Sequence, residues 1–308
     1  MRTPDFFIVG APKCGTTAMY QWLLAHPEVY LPAKEIHFFG EDLDHRRPPI
    51  SLGDYQALYQ DVQPEHNAIG DVAVWHLMSS TAAKEIAAMA PKATIIIMLR
   101  RPDEMLYSLH SQLVYSGEED LIDFGDALAA EGDRAQGERI PPSTHSGLEA
   151  PPSECLQYLK VAAFADQVAR YQEVFEQVHI VLHDDLKIDQ ASTYRSVLER
   201  LGVDTSFQPD FSVVNPNTTV RSHTARRAIQ ALRWGPIRQA VPSSLRGVGR
   251  RMMEGLQSIN TEVSERAPLA PSLATAIRTE LASDIERLSK QIDRDLSHWL
   301  KPRSDQSS

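Results

Sequence analysis

The chain has 308 residues, of which 42% are hydrophobic and 23% charged, a composition typical of a globular protein with a substantial core. There are 31 lysines and arginines against 41 aspartates and glutamates, so the net charge is −10, which argues against nucleic acid or another polyanion as the main partner. The two cysteines, Cys14 and Cys155, are too few for a disulfide framework and favour a reducing compartment.

The amino-terminal residues have neither the long apolar core nor the small-residue cleavage site of a signal peptide. No stretch approaches the ~18 consecutive apolar residues that a membrane-spanning helix needs. The sequence therefore predicts a cytoplasmic protein with no transmembrane segment.

In the first third of the chain, short apolar runs alternate with helical patterns. The run Phe6–Gly10 stops at a glycine, as a short buried strand often does. Residues 93–99 are almost continuously apolar, as a central parallel strand is, and Pro102 suits the first position of a helix. The predicted elements are strands over Phe6–Gly10, within 67–74 and over 93–99, and helices over 16–25, 81–90 and Pro102–Ser116.

The rest of the chain is less regular. Glycines and prolines interrupt residues 118–155, which we interpret as a loop-rich insertion with at most one short helix near Ala127. After it, the pattern predicts helix over 155–175, a strand over 179–182, a helix over 193–201 that ends at Gly202, a long final helix over 271–300 and a disordered tail over 302–308.

Strands separated by helices predict an α/β fold with a central parallel sheet flanked by helices. The sequence has no internal repeat and no linker of the kind that separates domains. We therefore predict one domain over residues 1–301.

The loop between the first strand and the first helix is suited to binding an anion. A glycine-bounded loop that opens a helix presents backbone N–H groups and the positive end of the helix dipole to a phosphate. Here it contains one lysine and two threonine hydroxyls, but it departs from the nucleoside-triphosphate loop GxxxxGK[ST] because the lysine lies inside the loop. The alternative is a turn that needs glycine only for its backbone conformation. The candidate anion-binding residues are Pro12, Lys13, Cys14, Gly15, Thr16 and Thr17.

A second anion site is predicted after the strand 93–99. Arg100 follows the carboxyl end of this strand, where ligands bind in open α/β sheets, and Ser108 lies on the next helix. Arginine and serine together can hold a phosphate through charge-assisted hydrogen bonds. In the alternative interpretation, Arg100 and Arg101 are surface charges and Ser108 bonds a local carbonyl.

These motifs resemble those of sulfotransferases that use 3′-phosphoadenosine 5′-phosphosulfate (PAPS). Residues 12–17, PKCGTT, resemble the loop that binds the 5′-phosphosulfate of PAPS. Residues 34–40, KEIHFFG, resemble a segment of heparan-type and bacterial members, and Arg100 with Ser108 resembles the 3′-phosphate motif, although Met105 stands where heparan-type members often have a basic residue. The likeness covers most of the chain and is weakest over 118–155 and 203–260. It implies a P-loop-like three-layer sulfotransferase fold, with PAPS as donor and PAP as product.

The resemblance also implies roles for individual residues. Lys13 would neutralise the leaving phosphate, and Glu35 would be the general base with His37 in support. Because cytosolic small-molecule sulfotransferases use a histidine, His37 remains an alternative base, and a Lys34–Glu35 surface pair is the non-functional interpretation. Asp71 resembles an acidic position near the acceptor, or else forms a turn. No metal is expected, because His37, His45 and His76 are scattered in the sequence.

Residues 211–253 contain eight arginines and no acidic residue. Arg221 is the best candidate for a basic residue that closes over the nucleotide. The others could meet an anionic acceptor, a membrane surface or a partner, or form a solvated helical face.

The acceptor and the oligomeric state are left open by the sequence. The acceptor group is a hydroxyl or amine of a small molecule, a carbohydrate or a lipid, and nucleic acid is not expected. Two other functions stay open: a P-loop kinase or NTPase, and a nucleotide-binding relative without catalytic activity.

Overall fold

The computed structural model describes residues 3–45, 49–142, 151–212, 218–220, 261–263 and 267–302. Its central strands are β1 (Phe6–Gly10), β2 (Val29–Tyr30), β3 (Ala68–Val72), β4 (Thr94–Leu99) and β5 (Val178–Leu182). They form one parallel sheet in the order β2-β3-β1-β4-β5. All residues of β1, β3 and β4 are buried, as expected for strands covered on both faces.

Helices flank this sheet, which confirms the predicted three-layer α/β fold. In chain order they are α1 (Thr16–Leu24), α2 (Leu52–Ala57), α3 (Ala82–Met89), α4 (Pro102–Ser116), α5 (Phe124–Ala129), α6 (Glu131–Ala135), α7 (Tyr158–Ala162), α8 (Phe164–Val174), α9 (His183–Ile188), α10 (Gln190–Leu201), α11 (Pro271–Glu280) and α12 (Ala282–Gln291). Helix α8 packs against α3 and α12, while α4 packs against α7 and α11. Gly202 ends α10 in the left-handed conformation, with φ 68°, as predicted.

Strands β1 and β4 are neighbours, so the two segments that follow them are adjacent at the carboxyl edge of the sheet. The N–H of Ala11 donates to the carbonyl of Met98 at 2.7 Å, and this bond fixes the start of the loop after β1 to the end of β4. The fold thereby brings the loop 10–17 and Arg100 to one place, which is where open α/β sheets bind ligands.

The insertion over 118–155 is more ordered than predicted. It contains two helices, α5 and α6, and a 3₁₀ turn over Ser153–Leu156. Both guanidinium N–H₂ groups of Arg134 donate to Glu119, at 2.7 Å each, and Tyr158 donates to Glu119 at 2.8 Å. This fully buried network ties α6 to α7 in a segment that the glycines and prolines of the sequence predicted to be mostly loop.

The predicted final helix over 271–300 is wrong as one element. It is divided into α11 and α12 at Leu281 and is followed by a 3₁₀ turn over Ser297–Leu300. The apolar stripe still continues across the break, through the buried side chains of Ile277, Leu281, Ile285 and Leu288. Beyond Gln291 the apolar spacing continues through the buried Leu296, but the helix ends, and Asp293 takes a left-handed conformation with φ 50°. The predicted helix over 155–175 is likewise divided, into the 3₁₀ turn, α7 and α8.

Several predicted features lie outside the described residues. These are Arg221, most of the arginine-rich segment 211–253, residues 143–150 of the insertion and residues 303–308 of the tail. Two short strands are described in this part of the chain, β6 (Thr218–Val220) inside the arginine-rich segment and β7 (Thr261–Val263) after it, and they pair antiparallel.

Candidate active site

The loop after β1 is shaped as an anion-binding turn. Gly15 stands at the N-cap of α1 with φ 93°, and a Cβ atom there would come within 2.9 Å of Leu186 Cδ1, so the position requires glycine. Helix α1 has no acidic side chain in its first turn, and within the described residues no side chain caps it. Its first N–H groups therefore have no partner inside the helix and can bind an anion.

The two predicted anion-binding elements are in direct contact. Lys13 has φ 61°, and its Nζ donates to Gln112 Oε1 on α4 at 2.6 Å. Arg100 Nη1 donates to the carbonyl of Lys13 at 3.3 Å. Ser108 lies one turn before Gln112 on α4. The loop, Arg100 and one face of α4 thus form a continuous cationic and polar wall.

Arg100 is oriented by a carboxylate that the sequence analysis did not single out. Its Nε and Nη2 donate to Glu104 Oε2 at 3.3 and 3.0 Å, and Lys187 Nζ approaches the same oxygen at 3.4 Å. Arg101, by contrast, is buried and donates to Asp103 at 2.8 Å and to the carbonyl of His298 at 3.2 Å. Of the two adjacent arginines, only Arg100 faces the loop.

The segment KEIH brings the candidate base to the same place. The N–H of Glu35 donates to the carbonyl of Val72 at 2.8 Å, and the N–H of Val74 donates back to Glu35 Oε2 at 3.0 Å. His37 Nε2 lies 3.5 Å from that oxygen. Glu35 and His37 have φ 62° and 52°, so this segment is an irregular turn held to the end of β3. Lys13, Glu35 and His37, the three predicted catalytic residues, all adopt this uncommon left-handed conformation, which residues at functional sites often do.

The histidines that looked scattered in the sequence meet in the fold. The rings of His37 and His45 stack with centroids 4.7 Å apart, and the ring of His76 lies 6.1 Å from that of His37. Burial lowers the pKa of His76 to about 3, so this ring is neutral. Within the part of the chain that is described, no group of three or more His, Cys, Asp or Glu side chains could hold a metal ion.

A cavity of about 380 Å³ joins these parts. It is lined by Pro12, Lys13, Gly15, Thr16, Thr17, Ala18, Lys34, Glu35, His37, Val74, Trp75, Arg100, Ser108, Leu109, Gln112, Leu113, Ser116 and Pro151. All predicted site residues are among them except Cys14 and the undescribed Arg221. The side chain of Cys14 is fully buried beneath the loop, and burial raises the pKa of its thiol to about 12.

A family model described as a sulfotransferase domain matches residues 3–243. The chain belongs to the sulfotransferase domain family. A sulfotransferase from Alicyclobacillus acidocaldarius has a similar structure, with a TM-score of 0.71 and 26% identity, and the match covers 98% of this chain and 100% of that one. Its fold is the sulfotransferase fold.

Two human relatives show how far the likeness extends. Bifunctional heparan sulfate N-deacetylase/N-sulfotransferase 3 is 26% identical over 212 residues, covering 66% of this chain and 22% of that protein. Carbohydrate sulfotransferase 15 is 31% identical over 147 residues, covering 34% of this chain and 26% of that protein. The sulfotransferase thus spans about a quarter or less of the length of these relatives. In its described residues no helix has the length and apolar character to cross a bilayer.

The sulfotransferase cavity also contains residues that the sequence analysis missed. Lys34 was considered only as half of a surface pair, although it precedes Glu35 directly. Gln112 lies four residues after Ser108, one helical turn away on the same face, and this spacing was the available signal. Val74 and Trp75 follow β3, and nothing in their sequence pattern marked them as lining residues.

Asp71 lies in β3 and does not line the cavity. It is buried, and its Oδ2 accepts a hydrogen bond from Tyr55 Oη at 2.6 Å, while Oδ1 has no partner among the described residues. Burial raises the pKa of Asp71 to about 6 against the lowering effect of the Tyr55 hydrogen bond, and the charge of Glu35 raises it further. Asp71 is therefore a strand residue behind the site, and the turn-forming alternative is wrong.

Proposed function

We propose that this sulfotransferase transfers the sulfuryl group of PAPS to a hydroxyl or amine, and that PAP is the second product. One observation carries the proposal: two separate anion-binding elements and a carboxylate line a single cavity. A donor with phosphate at both its 3′ and 5′ positions needs two such elements, whereas an ordinary ATPase needs one.

In this proposal the loop and the N-terminus of α1 hold the 5′-phosphosulfate. Arg100 and Ser108 hold the 3′-phosphate, and the contact between Arg100 and the Lys13 carbonyl supports a donor that extends from one element to the other. Cys14 contributes only through its backbone, because its side chain is buried.

The transfer resembles phosphoryl transfer, in which the protein mainly aligns the groups and stabilises charge. The acceptor oxygen or nitrogen forms a bond to sulfur while the bond from sulfur to the 5′-phosphate oxygen breaks. The electron pair stays on that oxygen, where Lys13 stabilises the developing charge. The acceptor proton passes to Glu35, with His37 next to its Oε2.

The names of two relatives suggest which acceptor class to test first. Their names describe N-sulfation of heparan sulfate and sulfation of a carbohydrate. A carbohydrate hydroxyl or amine is therefore the first acceptor to test, followed by small-molecule and lipid hydroxyls. The cavity beside Glu35 is lined by Val74, Trp75, Leu109 and Leu113 as well as Gln112, which supports an acceptor with an apolar part.

The test is a screen with isotope-labelled PAPS against amino sugars, neutral sugars, phenols and lipids, with the sulfated product detected by its mass. Turnover in the presence of EDTA is expected, with loss of the signal in Lys13→Ala. Magnesium-dependent consumption of ATP would support the kinase alternative instead. Binding of PAP without turnover of any acceptor would support the non-catalytic relative.

A further inference from the structure

Lys34 contacts both halves of the site. Its Nζ donates to Thr17 Oγ1 at 3.1 Å and to Thr16 Oγ1 at 3.5 Å, at the start of α1. The same nitrogen lies 2.8 Å from Glu35 Oε1. The side chains of Lys34 and Glu35 are 19% and 17% exposed, so this ion pair is largely shielded from water.

The position of Lys34 matters because of the geometry of in-line transfer. The transferring group passes between the leaving oxygen, on the loop side, and the acceptor atom, on the side of the base. Lys34 already touches both sides, through the threonine hydroxyls and through Glu35. Its ammonium group therefore lies where the oxygens of the transferring group would be.

Lys13 is held differently. Its Nζ is directed to Gln112 on α4, whereas Lys34 is directed to Glu35. The two lysines thus have different partners, Lys13 on α4 and Lys34 at Glu35 and the start of α1. This arrangement separates their tasks: one cation for the leaving phosphate and another for the group that is transferred.

The contacts of Glu35 point to a second consequence. Oε2 accepts from the N–H of Val74, and Oε1 is paired with Lys34. This oxygen is engaged by the ammonium group of Lys34 until the cation finds another anionic partner. Sulfuryl oxygens of a bound donor would be such a partner.

We propose that Lys34 binds the sulfuryl oxygens of the donor, and that by leaving Glu35 Oε1 for them it makes the base available only when donor is bound. This inference rests on the proposed function. Lys34 then recognises PAPS but not PAP, which has no sulfuryl group.

The experiment measures binding of PAPS and of PAP in the absence of acceptor, for the wild type, Lys34→Met and Lys34→Arg. A hydrogen bond to a charged group is typically strong enough for about a tenfold change in affinity. We expect Lys34→Met to weaken PAPS binding about tenfold and PAP binding less than about twofold, with partial recovery in Lys34→Arg. Lys92→Met, an exposed lysine outside the cavity, is the matched control and should change neither affinity. Equal effects of Lys34→Met on PAPS and PAP would overturn the proposal.

The exchange of partners has its own test. Glu35→Gln removes the carboxylate that competes for Lys34, so it should tighten PAPS binding several-fold and leave PAP binding unchanged. The gain should disappear in Lys34→Met/Glu35→Gln, because there the cation is absent. No change of PAPS affinity in Glu35→Gln would overturn the exchange. A wild type that binds neither PAPS nor PAP would overturn the proposed function itself, whereas a wild type that binds both, with Lys34→Met unaltered, would overturn only the role of Lys34.

Discussion

Arg100 donates a hydrogen bond from Nη1 to the backbone carbonyl of Lys13 at 3.3 Å. The two residues belong to separate motifs, 87 positions apart, and adjacent parallel strands bring them together. A ligand that has anions at two positions can therefore bind both motifs at once, and its affinity depends on both.

The first prediction concerns the 3′-phosphate. PAP should bind the wild type more than ten times as tightly as AMP, a difference of about 1.4 kcal/mol, because only PAP reaches Arg100 and Ser108. Arg100→Ala and Ser108→Ala should each weaken PAP binding and bring the ratio of PAP affinity to AMP affinity closer to one. Calorimetric titration measures both ligands, and Arg195→Ala, an exposed arginine, serves as the control. A ratio near one in the wild type would remove this assignment.

The second prediction concerns Lys13. Charge on the leaving phosphate grows only as the sulfur–oxygen bond breaks, so Lys13→Ala should lower kcat by about 10²–10³-fold. PAP affinity should fall much less. Gln112→Ala, which removes only the hydrogen-bond partner of Lys13 Nζ, should have a smaller effect on kcat. If the entire loss in Lys13→Ala appeared as weaker donor binding, Lys13 would be a binding residue alone.

The elements with strong local patterns were predicted well from the sequence. All four predicted strands are present, and α4 has the predicted bounds, from Pro102 to Ser116. Their apolar runs and the helix-starting proline are local signals that do not depend on distant contacts. By contrast, β2 has only two residues and is defined by its pairing with β3, so no local sequence pattern could predict it.

The motifs named Lys13, Glu35, Arg100 and Ser108 as site residues, and all four line one cavity, although their roles stay predictions. The sequence did not reveal that the Lys34–Glu35 ion pair lines the cavity, because an ion pair on the protein surface could have the same two adjacent residues. The same is true of Arg134 and Glu119, a fully buried pair in a segment that was interpreted as a loop-rich insertion. Burial of a charge is decided by tertiary packing, which a single sequence does not display.

The third prediction distinguishes the two candidate bases. A positioned general base typically contributes about 10²–10⁴-fold, so Glu35→Gln should lower kcat by about that factor while PAP affinity is kept. His37→Ala should cost less, because in the proposed mechanism His37 supports Glu35 from beside its Oε2 and does not take the proton itself. Steady-state rates for both variants at several pH values make the comparison. A nearly active Glu35→Gln with an inactive His37→Ala would transfer the role of base to His37.

The fourth prediction separates side chain from backbone within the donor loop. Cys14 Sγ is directed to the Pro12 carbonyl at 3.4 Å and is inaccessible, so Cys14→Ala should change PAP affinity by less than about threefold. Gly15→Ala should abolish PAP binding, because a Cβ at φ 93° meets Leu186 and displaces the N–H groups of the loop. Calorimetry with PAP tests both variants, and circular dichroism checks that both are folded. A large loss of affinity in Cys14→Ala would assign a direct role to the thiol.

The fifth prediction concerns the pH dependence of stability. The pKa of Asp71 is about 6 in the folded protein against an ordinary value of 3.8, so between these values the folded state binds the proton more tightly than the unfolded state does. The stability that protonated Asp71 contributes is complete below about pH 4 and is lost as the pH rises through 6. By linkage, this contribution to the free energy of unfolding is on the order of 3 kcal/mol.

Asp71→Asn keeps the shape of the protonated group and removes this loss. Urea unfolding at pH 5 and pH 8 should therefore show that the gain in unfolding free energy from Asp71→Asn is larger at pH 8, by about 1 kcal/mol. Asp120→Asn, at an exposed carboxylate, should show the same difference from the wild type at both pH values. An Asp71→Asn gain that does not change with pH would mean that Asp71 is already ionised at pH 5 in the folded protein.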